Sequence, residues 1–460
     1  MADPAATEAH PIPWPLRAYG LEPRRLVPLE KTALGVGLAF TFIVFLISLW
    51  DIGRYAGIDF RNRIVGARVL LTGQDPYAFE WQPGMPLELL DPCHDNLVHR
   101  LTAPPPTLFL YATLAPLPYK MERLASFVLE WLALLAGIAI LSRTITDHRQ
   151  RVVFLLTAVL FFVLSGFWRM HVERGQVYVF HLLVLSAGAA ACLRRNMNSW
   201  TGGILFGIAA LMRLNYLLLA PAFLLLRQWK TGLGSVLTFI LCVLATLPLL
   251  PSGSWQSYLR VGDQYYLTLW APERLPPRTP PAHEGPVEDV DFRNALDDVS
   301  STSFAVLYQT WRQGSPLPLV DLGLISKGIM VLLSVTLLGL LALRRNEPPP
   351  PRLTLALLVA FALDTEFFLP HRWGYVDVVL LLPLALLWPF LWDNRTASHV
   401  AVGILLVGFI SGMCLVPQLS LYYATLLRSW LVMGSLTGLA VVCWLRRGED
   451  YPGTAVKVTA

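Results

Sequence analysis

The chain has 460 residues, of which 55% are hydrophobic and 15% charged, and its mean hydropathy is +0.53. A soluble domain carries about 45–50% apolar and about 25% charged residues, so this composition excludes a soluble enzyme, a disordered chain, a coiled coil and a collagen-like rod. The net charge of +5 falls in short loops between apolar runs and does not point to nucleic acid.

Residues 1–31 are polar and Pro-rich and show no apolar stretch with a small-residue cleavage site. They read as a cytoplasmic segment, and the first apolar run, 32–50, as a retained span. Outer loop 1 follows, 51–120. Its end, PPPTLFLYATLAPLPY at 104–119, is apolar but short, as an interfacial or re-entrant helix would be. Spans are expected near 121–143, 151–168, 175–193 and 233–250, with 200–228 read as a broken pair around Arg213 and Asn215. Outer loop 2, 251–318, is rich in Pro, Asp and Glu. Further spans are expected near 319–343, 352–369, 376–392, 399–416 and 427–445, and 446–460 forms a tail. The expectation is an all-α polytopic membrane protein of about twelve transmembrane helices over 32–445.

Orientation follows from Lys and Arg in short loops. With Arg17, Arg24, Arg25 and Lys31 inside, the inside turns also carry Arg143, Arg149 and Arg151, Arg194 and Arg195, Arg227 and Lys230, Arg344, Arg345 and Arg352, Arg395, and Arg446 and Arg447. Both ends are then cytoplasmic and both long polar regions face outward, in a multi-pass protein of the cell (plasma or inner) membrane. Four of the five cysteines sit in apolar runs and only Cys93 in a loop, so no disulfide framework and no CxxC metal site is expected. Asn394-Arg395-Thr396 fits the glycosylation pattern but faces the cytoplasm on this topology.

The chemistry has to come from polar groups at the outer face. Asp59 heads DFRNRIVGARVLLT, in which Phe60, Ile64, Ala67 and Leu71 share a helical face. This reads as an amphipathic helix at the outer interface, stopped by Gly73 and the turn Gln74-Asp75-Pro76-Tyr77. Asp59 suits an N-cap as well as a catalytic carboxylate, and Asp51 competes for the second role.

An Asp after the first span, an amphipathic helix and a Gly-x-Asp-Pro-Tyr turn resemble the first outer loop of the GT-C membrane glycosyltransferases, most closely glycosyltransferase family 87. Pro104-Pro105-Pro106, Ala115-Pro116-Leu117-Pro118, Gly175-Gln176-Val177, GGILFGIAALMRLNYLLLAP at 202–221, and Leu369-Pro370-His371-Arg372-Trp373 before Leu382-Pro383-Leu384 extend the resemblance over most of 32–392. It implies the GT-C fold and inverting transfer of a sugar, mannose by preference, from a polyprenyl-phosphate donor to a lipid-linked or glycan acceptor outside. No cofactor is implied, and membrane lipids are the further partner. Asp59 then matches the general base, and His371, Arg372, Arg213, Arg174 and Arg61 are candidates for the leaving phosphate, with Gln176 beside the donor. Two departures from the family pattern are Arg61-Asn62-Arg63 after Phe60 and His371-Arg372 in place of adjacent histidines.

Other polar residues have plainer readings. Asp364 and Glu366, near the outer end of a span, suit solvation or pairing with Arg as well as function. Gln176 could instead cross-link helices. The acidic group Glu284, Glu288, Asp289, Asp291, Asp297 and Asp298 reads as a solvated face. Three rival functions make other demands. A flippase or transporter needs broken helices in matching halves. A lipid-linked glycan polymerase or ligase wants a basic outer loop, and 251–318 is acidic. An envelope-complex scaffold would leave Asp59 dispensable.

Overall fold

The computed structural model describes residues 18–22, 26–54, 57–82, 84–90, 101, 103–163, 166–261, 322–346, 349–367, 374–393, 395–412 and 421–446. The described elements are helical, with no strand among them. α1 (Pro28–Arg54) leads into α2 (Ile58–Leu71); α3 (Pro105–Ala112), α4 (Tyr119–Thr144), α5 (His148–Val163), α6 (Gly166–Arg174) and α7 (Tyr178–Arg194) follow. α8 (Trp200–Met212), a 3-10 turn (Leu214–Leu218) and α9 (Leu219–Leu225) precede α10 (Trp229–Thr246). The second half holds α11 (Leu322–Leu343), α12 (Pro351–Phe367), a 3-10 turn (Gly374–Leu380), α13 (Leu381–Leu391), α14 (Thr396–Gly412) and α15 (Leu421–Leu445). Outer loop 2 lies outside the described residues beyond Val261.

Three described stretches are long and apolar enough to cross a bilayer: Pro28–Gly53, Tyr119–Thr144 and Trp229–Leu249. A fourth arises if Trp168–Arg174 and Tyr178–Arg194, bent by 114°, count as one span. Six shorter apolar helices accompany them, so three or four spans are clear where hydropathy leads one to expect about twelve. The lipid-facing side is plain on α1, where Leu38 is 65% and Phe42 60% exposed; such a flank suits hydrocarbon and not water. An apolar cavity of about 490 Å³ separates part of α1 from α4 and α5. At the other extreme, Leu355, Ala356, Leu357 and Leu358 of α12 are all fully buried. A helix apolar on every side belongs at the centre of a bundle.

α8 and α10 approach closely because glycines allow it. A Cβ on Gly203 would stand 2.5 Å from the Thr231 carbonyl, and one on Gly207 2.6 Å from that of Ser235. Close backbone contact of this kind replaces the hydrophobic drive that helices lack in lipid.

One expectation changes: α2 does not lie with a polar face in water. Phe60 and Ile64 pack on Tyr119, and Val65 and Val69 pack on Phe79, Trp81, Leu89 and Leu90. Arg61 and Asn62 are buried as well, while Leu71 of the expected apolar face is 61% exposed. The helix is thus clamped between the bundle and the loop that follows it. Its C-terminus ends as the sequence suggests: Gly73 (φ +77) donates to Leu70 O and Gln74 N to Val69 O, the paired bonds of a glycine C-cap. Arg68 rivets the region, reaching the carbonyls of Ala115, Glu88 and Leu117 and pairing with buried Glu122 at 3.1 Å.

Gly203→Val should lower thermal stability by about 1–3 kcal/mol or more through overpacking. Gly35→Val, whose Cβ would meet nothing within 4 Å, should melt near wild type. Thermal unfolding in detergent, followed by tryptophan fluorescence, compares the two; equal melting would show that the α8–α10 contact is not a tight one.

Candidate active site

The site is built where α6 ends against the start of α2. α6 stops at Gly175 (φ +64), with Gly175 N donating to Val172 O at 3.1 Å and Gln176 N to His171 O at 3.0 Å. This closes the carbonyls of the last turn and swings the chain by 114° into α7. Arg174 and Gln176 flank the glycine, and both reach Asp59 in the first turn of α2. Arg174 Nη1 lies 3.2 Å from Asp59 Oδ2, and Gln176 Nε2 donates to the same oxygen.

Arg63 completes the group. Its Nη2 donates to Gln176 Oε1 at 3.1 Å and its Nη1 to Gly175 O at 3.2 Å. Gln176 is thereby oriented, amide nitrogen toward the carboxylate and oxygen toward the guanidinium. Burial opposes the charge on Arg63, but Tyr111 and Asp59 outweigh it and hold the guanidinium above its usual pKa. Arg63 is absent from the sequence-derived candidates. The signal for it was available: Asp59 and Arg63 are four apart on one helix and so share a face.

The Asp59 side chain remains 25% exposed. Both of its contacts fall on Oδ2, and among the described residues Oδ1 accepts no hydrogen bond. A carboxylate oriented through one oxygen and open at the other can take a proton from a bound hydroxyl. The neighbouring cations can stabilise negative charge that develops nearby.

A second cluster lies alongside. α8 stops at Arg213, whose backbone is extended, and Asn215 Nδ2 donates to Ala362 O at 3.0 Å to hold the break against α12. Arg213 Nε lies 2.5 Å from Oε1 of fully buried Glu366, and its Nη1 donates to the Tyr178 hydroxyl. Tyr178 packs on Tyr375 at 5.5 Å between ring centroids. So Glu366 meets the Arg-paired reading, and the charge of Arg213 is matched within the fold. Asp364 accepts from Thr437 at 3.0 Å, and Asp377 from Ser429 at 2.5 Å.

The remaining candidates sort as follows. Asp59 is not the N-cap of α2; that position is Gly57 (φ +67), which makes no side-chain cap bond, and Asp59 sits within the first turn. Arg61 is 1% exposed and stacks over the Tyr119 ring at 4.3 Å. Asp51 lies 3.6 Å from Arg169, which also binds Glu173 at 2.7 Å. His371 and Arg372 lie outside the described residues, as does the acidic group of outer loop 2. Among the described residues, no three His, Cys, Asp or Glu side chains converge as a metal site requires.

Residues 102–270 match the sequence model of glycosyltransferase family 87. This stretch is similar to that family, and the similarity supports a glycosyltransferase. Arg174, Gln176 and Arg213 fall within it, whereas Asp59, Arg63 and Glu366 lie outside. No curated protein and no solved structure matches the chain.

Glu366→Leu alone should cost about 1–3 kcal/mol, because partly buried Arg213 is left without its counter-charge. Adding Arg213→Leu should return most of that loss. Thermal or denaturant melting of the single and double variants checks this, and a double variant no more stable than the single one would show that the pair is not a coupled unit.

Proposed function

We propose that this chain is an inverting glycosyltransferase that moves a sugar, mannose by preference, from a polyprenyl-phosphate donor to a lipid-linked or glycan acceptor at the outer face of the membrane. The observation that carries the reading is the Asp59 carboxylate, a quarter exposed, oriented through Oδ2 by Arg174 and Gln176 and, among the described residues, accepting no hydrogen bond at Oδ1. The family-87 similarity over 102–270 supports the reaction class. The excess of Lys and Arg in the opposite loops supports the outer face.

In this mechanism Asp59 Oδ1 takes the proton of the acceptor hydroxyl as its oxygen bonds to the sugar's anomeric carbon. The bond from that carbon to the donor phosphate breaks, and its electron pair leaves with polyprenyl phosphate. Arg174 and Arg63 lie within one hydrogen-bonded group with Asp59 and are assigned to the departing charge, with Gln176 beside them. His371 and Arg372, which the sequence resemblance makes candidates for the leaving phosphate, are assigned there too. Arg213, already matched by Glu366, is assigned to holding Tyr178, and Arg61 to the Tyr119 ring. The donor's prenyl chain stays in lipid.

Asp59→Asn keeps size and removes basicity. It should lower turnover by about 10²–10⁴-fold while donor binding persists, measured on purified protein in lipid with a panel of polyprenyl-phosphate sugars and sugar nucleotides. Wild-type turnover in Asp59→Asn removes the base assignment, and turnover only with nucleotide sugars removes the donor class. For orientation, single cysteines at Gln82 and Glu284 should react with an impermeant thiol reagent from outside, and one at Asn346 should not. Outside labelling at Asn346 inverts the topology and ends the outer-face reading.

A further inference from the structure

Three buried ionisable side chains lie behind the site and take no part in the chemistry above. Arg123 of α4 is 3% exposed, and Glu130, also of α4, and His171 of α6 are fully buried. Replacing such a group with apolar residues is often neutral or stabilising, so stability alone gives no reason for it. Its geometry does.

We propose that Arg123 is the positioning residue for Asp59, an inference that rests on Asp59 being the base. The two chain segments that carry the site each contain a glycine in the left-handed region, Gly57 ahead of Asp59 and Gly175 ahead of Gln176. One guanidinium fills the space beside both. A Cβ on Gly57 would stand 2.7 Å from Arg123 Nε, and one on Gly175 3.0 Å from Arg123 Nη1. Arg123 Nη2 also donates to Val172 O, the same carbonyl that accepts from Gly175 N. Arg123 therefore binds the turn that presents Arg174 and Gln176, and it rests against the residue that starts α2.

Glu130 holds Arg123 from behind. Its Oε1 lies 3.6 Å from Arg123 Nη1 and accepts from Ser126 Oγ at 2.9 Å, while Oε2 lies 3.6 Å from His171 Nδ1. The seven residues from Arg123 to Glu130 span about 10 Å along α4, so the anchor sits deep in the bundle. An apolar side chain could fill the same volume. It could not hold the Val172 carbonyl of the turn by a hydrogen bond while packing against Gly57. A misplacement of about 1 Å between catalytic groups can cost about 10²-fold in rate, and that spacing is what Arg123 fixes between Asp59 and Gln176.

The test is a double-mutant cycle on the full chain in lipid, with polyprenyl-phosphate mannose as the probe donor. Arg123→Gln should lower kcat by about 10²-fold with the donor KM little changed, and Arg123→Lys should recover part of the loss. In an Asp59→Asn background, Arg123→Gln should cost little more, because the group it positions is already disabled. An equal loss in both backgrounds overturns the proposal, as does normal kcat in Arg123→Gln. Failure of both Arg123→Gln and Arg123→Lys to give folded protein by thermal melting assigns a scaffolding role and also overturns it. Full activity of Asp59→Asn is a separate outcome that removes the base reading itself, whereas an inactive Asp59→Asn with an additive Arg123→Gln removes only the positioning role.

Discussion

A charge inside an apolar bundle has to be met by another charge or by aimed hydrogen bonds, and the arrangement of this protein's polar end follows from that requirement. Asp59 is met by Arg174 and Gln176, Glu366 by Arg213, Glu122 by Arg68, and Glu130 by Arg123. All but the last, which lies within α4, join segments distant in sequence, and together they decide how α2, α4, α6, α8 and α12 meet. Packing of Leu, Val and Ala fills the space between these points but could be satisfied in many registers. The ionic contacts select one.

These contacts are not equivalent. Arg68 has four partners, all of them protein groups, which makes it a fastening. Arg213 and Glu366 neutralise each other at 2.5 Å. Asp59 differs because it is partly exposed and, among the described residues, accepts hydrogen bonds through one oxygen only. A polar group that the fold orients without saturating is the one left able to act on something else, and this separates Asp59 from the buried carboxylates around it.

Much of this was legible in the sequence. Apolar runs locate α1, α4, α7 and α10 to within a few residues, and the Arg213–Asn215 pair marks a break that the structure places at the same point. The sequence singles out Asp59 by its position after the first span and Gln176 by the glycine before it, and the structure brings the two into hydrogen-bond contact. What escaped was everything that depends on a distant partner. A hydropathy window counts Arg123 and Glu130 as costs to a span and cannot show that one cancels the other. Arg61 and Arg63, two residues apart, look alike in sequence, yet one stacks on Tyr119 and the other holds Gln176.

α1 bears on the site in another way. Between Lys31 and Asp51 its apolar run covers residues 32–50, about 28 Å at 1.5 Å per residue, close to the ~30 Å hydrocarbon thickness of a bilayer. Little of this helix is held by protein, and a cavity separates part of it from α4 and α5. Lipid, more than the bundle, therefore sets its height, as a ruler whose ends are the two charged residues. Its far end is fastened by Asp51 to Arg169 on α6, the helix that carries Arg174, and the chain passes from there through Gly57 to Asp59. A shift or tilt of α1 would therefore act on both sides of the Asp59–Arg174 contact, through Arg169 on one side and through Gly57 on the other.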